Sequence, residues 1–380
     1  MAHCPSCLHA AHDVILTRER VPVLQNVIVP TPEEARDFPV ARLRICLCSH
    51  CGFVWNADFD PDAIDYNAQY NNSVQQSQVY RNHQTAMAAR ILHRPGSLFC
   101  LEVGCGEGEF LNVLSGSGRL RGAIGFDPAH KGSYPLDPSV TVIRGYFDEA
   151  AAAALPDDID VVVSRHTIEH IADPRAFIAA IAAYVKKRNL PLFLETPDVN
   201  WILRNNAFED FFYEHCSLFS PRSMALLLAE FGLACETHAV YGDQYMWTEA
   251  WPSDTAEARA EAEAADTVSG DGIAQSLDYW TGKVRDLKAD GPVAVWGAAS
   301  KGVTFALLIG GIDFAIDLNT AKQGCYMPVS ATPILSPQEA LQRGVASIIV
   351  MNVNYADEIA AQLKAMGWQG NLLSLKDQGR

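Results

Sequence analysis

The sequence predicts an α/β protein assembled from three units, and three observations carry that expectation. Between residues 98 and 195, short apolar runs alternate with stretches of helical period, the pattern of a doubly wound sheet. Ahead of them, two Cys-x-x-Cys pairs bracket a segment too small to bury a core of its own. Beyond them, after an alanine- and glutamate-rich stretch, the pattern of apolar runs resumes at Val293. The expected boundaries are 1–60 for a zinc-binding unit, 61–250 for the large α/β unit, 251–290 for a helical connector and 291–380 for a smaller Rossmann-like α/β unit.

In the first unit, Cys4-Pro-Ser-Cys7 and Cys48-Ser-His-Cys51-Gly52 each put two thiols on a tight turn. Cys4, Cys7, Cys48 and Cys51 together make the tetrahedral donor set of a structural Zn²⁺, whose binding supplies folding energy that a small core lacks. The insert between the pairs, which holds Pro22, Pro30 and Pro32, reads as short-stranded. Its length leaves His9, Cys46 and His50 as alternative ligands. The N-terminus lacks the basic and apolar regions of a signal peptide, so a cytoplasmic setting is expected, and there the ten cysteines favour metal ligation over disulfides. No stretch reaches membrane-span length. A net charge of −16 excludes a broad nucleic-acid surface and leaves a small anionic ligand possible. The oligomeric state is not written in the sequence.

In the large unit, Leu98 to Val103, Ala123 to Phe126, Val140 to Ile143, Ile159 to Val163 and Leu192 to Glu195 read as buried parallel strands. Phe110 to Ser115 and Pro174 to Lys187 read as helices. The first strand runs into Gly104-Cys105-Gly106-Glu107-Gly108, a turn that lets a ligand approach the backbone. A dinucleotide turn places its third glycine one position later. Glu102, just before the turn, suits an ammonium group and would repel a pyrophosphate. Gly125-Phe126-Asp127 closes the next strand with a carboxylate able to take both ribose hydroxyls, as it would for NAD as well. Ser164, Arg165 and His166 follow the fourth strand and are expected in the same pocket, because open α/β sheets bind ligands at the carboxyl ends of their strands. Tyr146 and Phe147 are placed to flank an adenine, while Glu169 and His170 fit a capped helix as well as a direct role.

The combination of Glu102, the glycine turn and Gly125-Phe126-Asp127 resembles class I methyltransferases, and that resemblance implies S-adenosylmethionine as methyl donor. Phe208 to Phe219 follows the fifth strand and projects over the donor pocket. Within it, Glu214 beside His215 reads either as a capping feature or as an acid that orients an imidazole and raises its basicity. Ala256 to Ala265 and Asp271 to Lys288 read as helix with a solvated acidic face. After Val293 come Gly297-Ala-Ala-Ser-Lys301-Gly302, a helix, Phe314 to Asp317 and Ser347 to Met351. Lys301, on a strand-to-helix turn, suits a diphosphate or simple solvation.

Taken together, the zinc knuckles, Tyr66-Asn-Ala-Gln-Tyr70-Asn-Asn72-Ser73, Phe212-Tyr213-Glu214-His215-x-x-Leu218-Phe219, the Lys301 turn, Asp317-x-Asn319-x-x-Lys322-Gln-Gly324 and Pro333-Ile334 resemble the nucleotide-sugar C-methyltransferases. The resemblance implies methylation of a carbon in a nucleotide-linked 4-ketosugar through an enolate. It implies His215 as base, Glu214 as its partner, and Tyr66 or Tyr70 beside the developing oxyanion. It further implies acceptor contacts from Asn72, Ser73, Tyr213 and Lys301. Three departures bear on the acceptor: Phe212 replaces a tyrosine, Tyr213 an aspartate, and Val240 to Glu249 a His-Gly-Gly-Ser-like turn. Competing readings are an O- or N-methyltransferase for a related acceptor and a non-catalytic zinc-containing binding protein. The intact Glu102, glycine turn and Asp127 speak against the last.

Overall fold

The computed structural model describes residues 3–64, 77–253 and 270–377. Three sheets organise them. The first opens with a hairpin of β1 (His12–Pro22) and β2 (Val40–Cys48), followed by β3 (Val54–Asn56). Its leading strands run to 11 and 9 residues, not the short strands that the proline-rich insert suggests. The reason is an alternation that the prolines obscure. Leu43 and Ile45 turn into the core, while Arg42 and Arg44 turn out toward Glu19 and Asp58. The fourth strand of this sheet comes from far along the chain: β9 (Ser217–Leu218) pairs antiparallel with β3, Val54 opposite Leu218 and Trp55 opposite Ser217.

The large sheet holds β4 (Leu98–Val103), β5 (Leu120–Phe126), β6 (Val140–Ile143), β7 (Val161–Arg165), β8 (Leu192–Pro197), β10 (Leu233–Val240) and β11 (Tyr245–Pro252). Its order is β10-β11-β8-β7-β4-β5-β6. The five strands from β8 to β6 are parallel; β10 and β11, absent from the sequence reading, add an antiparallel edge. The chain leaves β4 toward β5 on one side and later returns to β7 on the other, which opens a crevice at the carboxyl ends of these strands. Helices cover both faces. One of them, Pro174–Arg188, starts where the Asp173 side chain accepts the Ala176 N–H and ends at Asn189 in the left-handed region, after Lys186, Lys187 and Arg188.

The third sheet is all parallel, in the order β14 (Ile334–Leu335), β13 (Phe314–Ile316), β12 (Val293–Trp296), β15 (Ser347–Val350), β16 (Asn371–Ser374). The helix Ile273–Leu287 precedes it; the run Ala256 to Ala265 lies outside the described residues. No helix among the described residues is long and apolar enough to cross a membrane.

One apolar core joins the first and third sheets. It joins Leu43 and Ile45 of the hairpin, Phe208 and Phe211 of the segment before β9, and Trp280 and Phe305 of the C-terminal unit. The Trp280 ring meets Phe305 edge-on at 5.5 Å, and Phe305 stacks on Phe208 at 5.8 Å. Trp280→Ala should therefore cost about 3–5 kcal/mol and lower the melting of N- and C-terminal segments together; two separate thermal transitions would contradict a shared core.

Candidate active site

A cavity of about 1070 Å³ occupies the crevice and extends to the C-terminal unit. Asn26 and Phe59 from the N-terminal region line it, as do the glycine turn, Phe212, Glu214 and His215, and Ser300, Lys301 and Lys322 of the C-terminal unit.

One side of the cavity is built on the turn after β4. Gly104 has φ +77, and a Cβ there would strike Thr167 Oγ1 at 2.1 Å; that hydroxyl donates to Gly104 O. Gly106, at φ +57, has open space where a side chain would stand, so the turn presents bare backbone to the cavity. Its N–H donates to Asp127 Oδ2 at 2.8 Å, and Ala129 N–H donates to Asp127 Oδ1 at 2.8 Å. Each carboxylate oxygen keeps a lone pair for a ligand. Cys105, Phe126 and Phe147 line the cavity, the two aromatic rings edge-on at 5.7 Å, while Tyr146 stands exposed at its rim. Gly108 sits behind them at the start of the helix Glu109–Ser115.

Glu102 is buried, and its Oε2 has no hydrogen-bond partner among the described residues. Burial pushes its carboxyl up to about 8, with Arg165 pulling the other way. Arg165 lies over the Phe110 ring at 4.0 Å and donates from Nε to Glu195 Oε2 at 2.6 Å. The other oxygen of Glu195 is engaged by His83 Nε2. Burial works against ionisation of Glu195, but Arg165, His166 and His83 hold it well below the usual carboxylate range. In the sequence, Glu195 reads only as strand and His83 carries no local signal. Each is informative only once its partner is known, and the partners lie 30 and 112 residues apart.

The structure separates the trio after the fourth strand. Arg165 and His166 line the cavity; Ser164 does not. Strand alternation puts Ser164 on the face of Val162, which packs with Leu101 and Leu192, and its Oγ is buried there. His166 takes φ +49, an uncommon conformation for a residue with a Cβ, and its ring lies edge-on to Tyr245 at 4.7 Å.

In the segment before β9, His215 lines the cavity with its ring 4.0 Å from Phe212 and 4.8 Å from His170. Glu169, His170 and His215 bring a carboxylate oxygen and two ring nitrogens within 4.8 Å of one another. Glu214 Oε1 accepts the Gln25 N–H at 3.0 Å, and its Oε2 lies 3.9 Å from His170 Nδ1. The expected rise in His215 basicity is reversed: burial, with His170, His166 and Lys301 nearby, drives the imidazole well below its ordinary value.

Tyr213 does not line the cavity. Its hydroxyl accepts the Asp60 N–H at 2.8 Å beneath β3, a packing role forced by its alternation with Phe212 and Glu214. Lys301 is at the cavity wall but already paired, 2.8 Å from Asp210 Oδ2 and 3.1 Å from Gln244 Oε1, over the Trp201 ring. Tyr66, Tyr70, Asn72 and Ser73 lie outside the described residues. The four knuckle cysteines converge as their spacing suggests: Cys4 and Cys51 sulfurs are 3.8 Å apart, Cys7 and Cys48 sulfurs 3.6 Å, and all four lie within 4.8 Å of one another. A tetrahedral ion with metal–sulfur bonds of about 2.3 Å sets sulfurs roughly 3.8 Å apart.

Residues 75–238 match the model of a methyltransferase domain, and residues 270–375 that of a C-methyltransferase C-terminal domain. The chain is 28% identical over 285 residues to the C-methyltransferase NovU of Streptomyces niveus, covering 68% of this chain and 67% of that one. Among solved structures it is similar to a chain of the complex between the Haloferax volcanii Trm112 methyltransferase activator and a methyltransferase. That match has 15% identity, covers 46% of this chain and 92% of that one, and has a TM-score of 0.36. It is also similar to the N,N-8-amino-8-demethyl-D-riboflavin dimethyltransferase RosA of Streptomyces davawensis, with 20% identity, 46% and 56% coverage and a TM-score of 0.36.

Glu102 carries a pH signature. Its folded value, about 8 against an ordinary 4.5, means that the folded chain holds a proton the unfolded chain has released. Its contribution to stability is therefore full below pH 4.5 and falls as pH rises toward 8. Denaturant titrations from pH 5 to 8 should show that slope, and Glu102→Gln should flatten it; an unaltered slope in the variant would assign it elsewhere.

Proposed function

Because the chain belongs to a C-methyltransferase family, we propose that it moves a methyl group from S-adenosylmethionine to a carbon of a nucleotide-linked 4-ketosugar. The observation that carries this reading is His215, an imidazole in the same cavity as the bare turn at Gly106 and the Asp127 carboxylate.

The donor side fits S-adenosylmethionine. Glu102, buried and with an unpartnered oxygen, suits the ammonium group, and binding a cation there would favour its ionised form. Asp127 suits the ribose hydroxyls, and Phe147, Arg165 and His166 complete the lining. S-adenosylmethionine, when bound, supplies an electrophilic methyl group.

The chain's own part is to make carbon nucleophilic. A C–H beside a ketone is acidified by the carbonyl; a His215 ring nitrogen takes the proton and the electron pair delocalises onto the carbonyl oxygen. The adjacent His170, with Glu214 and Glu169 close by, gives that proton a route onward. Phe212 leaves an apolar ring against the base in place of a hydroxyl. The Lys301 charge, held in place by Asp210, suits the diphosphate of the acceptor.

A panel of nucleotide-linked 4-ketosugars should include one that yields S-adenosylhomocysteine and a C-methylated product by NMR. Methylation at oxygen or nitrogen alone, or no exchange of the substrate C–H with deuterated solvent, would remove the enolate route. His215→Asn should lower turnover by roughly 100-fold or more with S-adenosylmethionine affinity retained; unchanged turnover would take the base role from it.

The four sulfurs near 3.8 Å support a structural zinc ion at Cys4, Cys7, Cys48 and Cys51. Metal analysis should find one zinc per chain, lost in Cys48→Ser together with thermal stability. A second ion would point to Glu169, His170 and His215, and would displace His215 as base.

A further inference from the structure

The stretch Val23 to Asn26 belongs to the proline-rich insert, yet each of its residues is buried. It leaves β1 and wedges between the base-bearing segment and the C-terminal unit. Gln25 fastens it on both sides: its N–H donates to Glu214 Oε1 at 3.0 Å, and its Nε2 donates to Thr304 Oγ1 at 3.0 Å. Asn26, the next residue, lines the cavity while only 6% exposed. Its Nδ2 donates to Ser300 Oγ at 3.0 Å, but its Oδ1 is buried with no hydrogen-bond partner among the described residues. Native interiors leave few such oxygens unpaired, and a ligand site is where one is expected.

We propose that Asn26 and Ser300 form an acceptor-binding pair that reads a hydroxyl group of the substrate. The chemistry selects the ligand group. An amide oxygen accepts and cannot donate, so what meets Asn26 Oδ1 must bring a hydrogen; a phosphate oxygen does not. Ser300 Oγ already accepts from Asn26 Nδ2, and its own hydrogen has no acceptor among the described residues. A hydroxyl satisfies both at once, donating to Asn26 Oδ1 and accepting from Ser300 Oγ–H. An N–H group would satisfy only the first. Ser300 and Lys301 are neighbours on one helix, so the pair sets a hydroxyl reader beside the cation assigned to the diphosphate.

This inference rests on the cavity being an acceptor site for a nucleotide-linked sugar. Its test uses the full chain, the ketosugar nucleotide that the wild type methylates, and a set of analogues each lacking one hydroxyl. Calorimetric titration should show Asn26→Ala binding the ketosugar about 10-fold or more weakly, with S-adenosylmethionine affinity unchanged as the control for folding. For one analogue the penalty should vanish, because the group that Asn26 reads is already gone. Ser300→Ala should likewise weaken binding of the ketosugar, with its penalty vanishing for the same analogue. Equal weakening toward every analogue, weakened S-adenosylmethionine binding, or an Asn26→Ala variant of wild-type affinity would overturn the pair's role while leaving the methyl transfer intact. A wild-type chain that binds no nucleotide sugar would overturn the underlying reading and, with it, the ligand assigned to Asn26.

Discussion

The two-residue pairing of β9 with β3 is the constraint on which the placement of Glu214 and His215 depends. Val54 faces Leu218 and Trp55 faces Ser217, and just outside the ladder Phe53 packs on Phe219 at 4.7 Å. This short ladder fixes one end of the segment that begins at Phe208. The other end is held by Arg18, whose guanidinium donates to Phe208 O and Phe211 O at 2.8 and 2.6 Å. Between these anchors, Glu214 and His215 have little freedom. The sulfur cluster is tied to this segment through the sheet: Cys48 ends β2, β2 pairs with β3, and β3 receives β9.

The donor side follows a different logic, in which charge is buried and balanced. Arg165 has its guanidinium over one aromatic ring and its Nε on Glu195, which His83 also engages. A buried arginine and carboxylate in this geometry are costly to separate, since either alone would be left as an unpaired charge. The arrangement sets a positive charge beside Glu102, opposing the burial that raises its carboxyl.

Much of this was legible in the residues, and what was not has a physical cause. The strands from Leu98 to Glu195 announce themselves because parallel strands buried on both faces are continuously apolar. The glycine turn and the knuckles are local, so spacing alone reveals them. Gln25, Asn26, Glu195 and His83 escaped because their meaning lies in contacts across 30 to 279 residues, for which no local pattern exists. The edge pair β10 and β11 was missed for a related reason: strands at a sheet margin mix polar and apolar residues, as Glu236, Thr237 and His238 do. Tyr213 and Ser164 were assigned by neighbourhood along the chain, and in extended backbone the neighbour of a lining residue points the opposite way.

The wedge formed by Val23 to Asn26 bears on how such enzymes diversify. On the proposed reading, acceptor preference is not the property of one exchangeable module: an N-terminal loop, a central segment and a C-terminal helix each contribute to a single wall of the cavity. A chimera that took its C-terminal unit from a relative would replace Thr304 and Ser300 but keep the old loop, with Gln25 and Asn26, opposite. Recombination at the obvious boundaries would thus break the wall, whereas point changes within the loop and helix can retune it. Divergence of specificity is accordingly expected to proceed by paired substitution across the seam rather than by shuffling of units.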